Sequence, residues 1–186
     1  GEHVEVLAHH ARRGELREKA VSYLFQAGEK AARRSAPRMA EEWYRQALDQ
    51  VETLSESRDK WEQAFAILDG MNGALANLGE TRSGAQSLRQ ADVFAEKLND
   101  DRRRGRLRAM LASYCAMHGE LDEAVAEGRQ ALAMAERTCD AALRIQAQAY
   151  LEQVHYYRAD YKQVVELAAA NLGTTDSDSP YYSASV

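Results

Sequence analysis

Five histidines and two cysteines are the first residues of this 186-residue chain to weigh, because such side chains hold metals and move protons. His9 and His10 are adjacent, so on a helix they point about 100° apart and cannot converge on one ion. His3 and His10 share a face but stand two helical turns apart, too far for a compact pair, and no HExxH occurs. Cys115 and Cys139 form no CxxC arrangement, so neither a zinc knuckle nor a disulfide framework is expected, and a reducing cytoplasm is the natural compartment. GxSxG, Walker and dinucleotide sequences are absent. These residues predict no catalysis, metal or cofactor on this segment alone.

Arginine clusters are the next candidate: Arg12-Arg13, Arg33-Arg34 and the run "RRRGRLR" from Arg102 to Arg108. A phosphate track wants a continuous basic face on a basic domain. Here the clusters lie among acidic residues and the net charge is −5, so local Asp–Arg pairing on a solvated face is the better reading. Of the aromatics, Tyr23, Phe25, Trp43, Tyr44, Trp61, Phe65 and Phe94 fall at helical spacings and read as core.

The elements that must position these residues are helices. With 45% hydrophobic residues, 28% charged and only two prolines, the composition favours helix and gives strands little material. No long unbroken apolar run occurs, so nothing is expected to span a membrane. The chain opens on Gly1, which suggests a piece of a longer protein.

In "HGELDEAVAEGRQALAMAE" (118–136), Ala124, Gly128, Ala131 and Ala135 make one smooth stripe that lets another backbone approach closely. That pattern repeats. The segments beginning at Met71, Leu111 and Leu151 align without a gap, and the offset from the first to the second equals that from the second to the third. Their columns hold Leu75, Cys115 and His155, then Gly79, Gly119 and Ala159, then Gly84, Ala124 and Val164, then Leu88, Gly128 and Ala168. Large residues come first and small ones second, as two antiparallel helices joined by a turn at Gly119-Glu120 require. His155 therefore reads as a partly buried packing residue, not a general base. A further copy opens the chain at "LAHHARRGELREKAV", and Ala40, Tyr44 and Ala47 mark a helix partnered by the long one before it.

A small residue, a large or small residue four later and alanine three after that, preceded by Gly and a turn, resembles the tetratricopeptide repeat over nearly the whole chain. That repeat has a period of about 34 residues, shorter than the period here of about 40 residues, and its first-helix tryptophan is missing. The opening "LAHHARRGELREKAVSYLFQAGEKAARRSA" resembles the carboxy-terminal repeat region of bacterial signalling proteins in which a cyclase or DNA-binding regulator is joined to an AAA-type ATPase. The expected fold is an all-α, right-handed superhelical solenoid of such pairs. Helices are expected over about 2–13, 15–34, 36–54, 58–78, 81–98, 101–118, 121–137, 141–158 and 161–172. Ser35 with Pro37, Asp59, Asp100-Asp101 and Asp140 are expected to offer oxygen caps or favourable negative charge at amino-terminal helix ends. Residues 1–173 form the repeat domain and 174–186 a linker or tail, which would leave an uncovered last pair and drive self-association through that end.

The resemblance also implies a site. If repeat positions carry over, the second, fifth, ninth, twelfth and thirteenth residues of each first helix line a concave groove. These are Gln146, Ala149, Gln153, Tyr156 and Tyr157 in one copy, and Arg106, Ala109, Ser113, Ala116 and Met117 in the copy before. Asp69, Asn77, His9, Arg12 and Arg13 follow from earlier copies. Tyr156 and Tyr157 equally suit packing against the next repeat. The function implied is a non-catalytic protein-interaction or regulatory sensor segment of a bacterial cytoplasmic signalling protein, binding a peptide, a partner or a domain of its own chain. A small-molecule effector site at Gln153, Tyr156 and Tyr157 is the competing reading, which a ligand-dependent melting shift would reveal.

Overall fold

The computed structural model describes residues 17–172, which form helices α1 (Arg17–Arg33), α2 (Pro37–Glu52), α3 (Arg58–Leu78), α4 (Thr81–Lys97), α5 (Asp101–Met117), α6 (Leu121–Arg137), α7 (Ala141–Tyr157) and α8 (Tyr161–Leu172). Among the described residues there is no strand. The helix boundaries fall within two residues of those the sequence periodicity predicts. The expected helix at 2–13, the start of the one at 15–34 and the tail at 174–186 lie outside the described residues.

A rhythm finer than the sequence repeat organises the chain. Gly79, Asn99, Gly119, Cys139 and Ala159 all have positive φ, and they recur at equal intervals of half a repeat. Helices α4, α5, α6 and α7 are each 17 residues long, so one copy is two such helices with their short turns. The period therefore exceeds that of the ordinary tetratricopeptide repeat because the helices are long. The turns that follow α3, α5, α6 and α7 close by the same pair of backbone bonds. Glu120 N–H donates to the Cys115 carbonyl at 2.9 Å and Gly119 N–H to the Ala116 carbonyl at 3.1 Å, with the same pattern at Glu80, Asp140 and Asp160. One expected cap is corrected. Ser35 is itself the left-handed residue that ends α1, so Ala36 stands at the cap of α2 without a side-chain acceptor, and Pro37 supplies the start. Ser57 caps α3 by accepting from Lys60 N–H, and Asp59 supplies the favourable negative charge in the first turn, one of the two roles expected of it. Asp100 and Asp140 cap α5 and α7 as expected.

The chain divides into two compact units at Leu98 and Asn99. In the first, α1 packs on α2 and α3 on α4 around Val21, Leu24, Ala40, Tyr44, Ala47, Val51 and Ile67. Tyr44 and Phe65 are buried, while Tyr23, Phe25, Trp43 and Phe94 pack partly buried against this core. Burial, followed by the nearby Glu29 charge, holds the Tyr44 phenol above its ordinary 10.

Trp61 is used differently. Its indole N–H donates to Glu56 Oε2 at 2.8 Å, Lys60 Nζ reaches Oε1 at 2.9 Å, and Lys97 reaches Oε2 at 3.3 Å from above the Trp61 ring. Lys60 also donates to the Leu54 carbonyl at 2.8 Å, so one cluster ties the 53–57 connection to α3 and α4. The Trp61 hydrogen bond first, then Lys60 and Lys97, lowers the Glu56 carboxyl from 4.5 to about 2. A carboxyl lowered on folding stabilises above its unfolded pKa and loses that contribution as pH falls through its folded one. Between wild type and Glu56→Gln, the difference in denaturant midpoint should be constant above pH 4.5 and shrink between pH 4.5 and about 2. A pH-independent difference would mean that the charge contributes nothing.

In the second unit α5 packs on α6, α7 on α6 and α8, and α5 also meets α7. The small stripe of α6 is its buried face: Ala124, Gly128, Ala131 and Ala135 are all covered. Leu75, Cys115 and His155 are likewise buried, so this column serves packing in all three copies.

Candidate functional site

Because α5 and α7 are the first helices of successive pairs and lie side by side, residues at matching repeat positions become neighbours across them. Three such rungs follow. Arg106 and Gln146 line one recess of about 330 Å³, together with Arg102, Asp140, Ala142 and Leu143. Two turns along, Ser113 Oγ lies 3.5 Å from Gln153 Oε1, and Gln153 Nε2 lies 3.4 Å from the Tyr157 hydroxyl. Met117 and Tyr157, 59% and 49% exposed, occupy the third rung in the same register. Arg106, Ser113 and Met117 are spaced seven and four, as are Gln146, Gln153 and Tyr157, so each set follows one face of its helix.

Not all of the expected groove positions are open to solvent. Ala109, at the fifth position, is fully buried with Ala131 and Ala147, and Ala116, at the twelfth, packs with Cys115, Ala124, Val125 and Val154. Those two positions lie on the edge of the helix that α6 and α7 cover. Tyr156 is exposed at 60%, but its ring meets Tyr157 and Tyr161 edge to face, each at 6.1 Å, which turns it toward the start of α8. Asp69 and Asn77 are exposed on α3 in the first unit, and Asp69 lies close enough to Tyr44 to push up its phenol. His9, Arg12 and Arg13 lie outside the described residues.

Arg102, Asp140 and Ala142 are absent from the groove expected from the sequence, although Arg102 and Ala142 stand one turn before Arg106 and Gln146. The arginine run of α5 is largely paired. Arg102 faces Asp140 at 3.7 Å, Arg103 faces Asp100 at 3.2 Å and Arg108 bonds Glu127 at 2.8 Å, while Arg137 reaches back to Asp101 at 3.0 Å. The pairing expected from the sequence is thus in place.

Two other clusters stand away from the groove. Cys115 Sγ and the carboxylates of Glu120 and Glu123 lie within 4.8 Å of one another at the α5–α6 turn. His155 Nδ1 faces Asp160 Oδ2 at 3.4 Å from a buried position, as a packing residue would. Chemically, this face offers amide, hydroxyl and guanidinium groups. Among the described residues, no helix is long and apolar enough to cross a membrane.

No protein-family model matches the chain, and no curated protein matches it. Solved structures do. A kinesin light chain of Podosopora anserina, described as nearly identical TPR-like repeats, superposes with a TM-score of 0.65 at 19% identity, over 89% of this chain and 81% of that one. Aspartyl phosphate phosphatase F from Bacillus subtilis gives 0.74 at 14% identity, over 92% of this chain and 48% of the other. A Rap protein complexed with competence and sporulation factor gives 0.63 at 17% identity, over 83% and 42%. The chain thus spans less than half of these last two. At such identities the likeness carries the fold, an all-α array of tetratricopeptide-like helix pairs.

Proposed function

We propose that this chain is a non-catalytic recognition segment that holds an extended stretch of a partner protein, or of its own parent chain, along the groove between α5 and α7. The observation that carries the reading is the Ser113–Gln153–Tyr157 chain, in which polar groups from both helices meet on an exposed face where a peptide backbone would find donors and acceptors. The long contacts of 3.5 and 3.4 Å are weak, so exchanging them for a ligand's groups costs little. A Rap protein of similar fold is complexed with competence and sporulation factor, which supports a protein or peptide partner. A regulatory role beside an attached cyclase or transcription regulator is the wider form of the proposal.

An array of short peptides probed with the full chain tests it. Wild type is expected to retain a subset that a Gln153→Ala, Tyr157→Ala variant loses, with equal helicity of the two proteins checked by circular dichroism. Equal retention by both proteins would remove the groove from consideration.

A further inference from the structure

Resting on that reading, we infer that the groove selects an extended segment carrying an acidic side chain about five residues away from an aromatic or long aliphatic one. Arg106 would take the acid, and the Met117–Tyr157 rung would take the apolar side chain.

Of the five arginines in the run, Arg102, Arg103 and Arg108 face named carboxylates, and Arg104 also has a partner. Arg106 is exposed and, among the described residues, has no hydrogen bond or ion pair. Asp140, the carboxylate in the same recess, is already committed: it accepts from Leu143 N–H at 3.0 Å and faces Arg102. The recess therefore holds one uncompensated positive charge beside the Gln146 amide, in a hollow of about 330 Å³ that admits a carboxylate. The opposite end is the complement. Met117 and Tyr157 are large, exposed side chains within the last turn of their helices, and neither carries charge.

The distance between the ends sets the ligand's spacing. Arg106 and Met117 are separated by three helical turns, as are Gln146 and Tyr157, so the two ends lie about 16 Å apart. An extended chain advances about 3.3 Å per residue, which makes that span about five residues. Between the ends, Ser113 and Gln153 face the middle of the segment with groups suited to its backbone.

Fluorescent peptides of one polar background, with Glu and Phe separated by two, five or eight positions, test the inference against the full chain. The spacing of five is expected to bind about tenfold more tightly than either other spacing, and about tenfold more tightly than its Glu→Gln counterpart. Arg106→Gln should erase the preference for Glu over Gln while keeping that for Phe; Tyr157→Ala should do the reverse. Both positions are exposed, so folding should be unchanged. If peptides bind with no spacing preference, or if Arg106→Gln weakens Glu and Gln peptides alike, the inference is overturned and the groove reading stands. If no spacing binds and the short-peptide array is also blank, the groove reading itself fails.

Discussion

Gly28→Ala is expected to destabilise this protein by about 1–3 kcal/mol, and to stabilise the same protein once Tyr44→Ala is present. Alanine normally improves a helix interior over glycine by about 0.5–1 kcal/mol, so a loss at residue 28 needs a steric cause. The cause is the Tyr44 ring. A Cβ on Gly28 would stand 2.6, 2.7 and 2.9 Å from its Cε1, Cδ1 and Cζ, and a Cβ on Gly70 would stand 2.7 Å from Cζ and 2.9 Å from the hydroxyl oxygen. The ring is 3% exposed and meets Phe25 at 5.9 Å, so its surroundings leave it little room to retreat. Tyr44→Ala alone should cost about 3–5 kcal/mol, as large aromatic truncations do. In that background the methyl of Gly28→Ala enters vacated space and the helix-propensity gain is recovered. A double-mutant cycle by urea denaturation should thus give a coupling of at least about 1.5 kcal/mol. Additive effects would place the ring elsewhere.

That cycle also marks the boundary between what the sequence shows and what it hides. The spacing of Ala40, Tyr44 and Ala47 identifies the buried face of α2, because helical periodicity is a local property of the chain. Nothing in that spacing says that Gly28 on the helix before and Gly70 on the helix after serve one tyrosine, since such contacts arise only when three helices assemble. Helix ends divide the same way. Gly79 and Gly119 announce their turns, but Asn99, Cys139 and Ala159 adopt the same left-handed conformation without glycine's freedom, and only the even spacing of the five turns betrays them. The proposed groove divides the same way. Ser113, Gln153, Arg106 and Gln146 follow from repeat positions, whereas the burial of Ala109 and Ala116 depends on how α6 and α7 crowd one edge of α5. Position within a helix is written in sequence; which edge a neighbour covers is not.

The small stripe of α6 makes the strongest claim on the second unit, and Gly128→Leu is its test. One added Cβ would lie 2.6 Å from Leu151 Cδ2 and 2.7 Å from its Cγ. Leu151 is itself buried at 2% exposure, so a full leucine at 128 must drive α6 and α7 apart or force Leu151 off its rotamer. Overpacking of this kind costs about 1–3 kcal/mol, and the upper end is expected because three further carbons follow the first. Ala133→Leu, on the exposed side of the same helix, is the control and should stay within about 0.5 kcal/mol of wild type. Adding Leu151→Ala to Gly128→Leu should recover much of the loss, since one leucine then occupies the space of the other. Where the damage appears matters as much as its size. Helix pairs in a repeat lean on their nearest neighbours, so amide exchange should quicken in α6 and α7 well before it does in α1 and α2. A variant that melts as wild type, or one that loosens α1 as early as α7, would show that the stripe is not where the second unit closes.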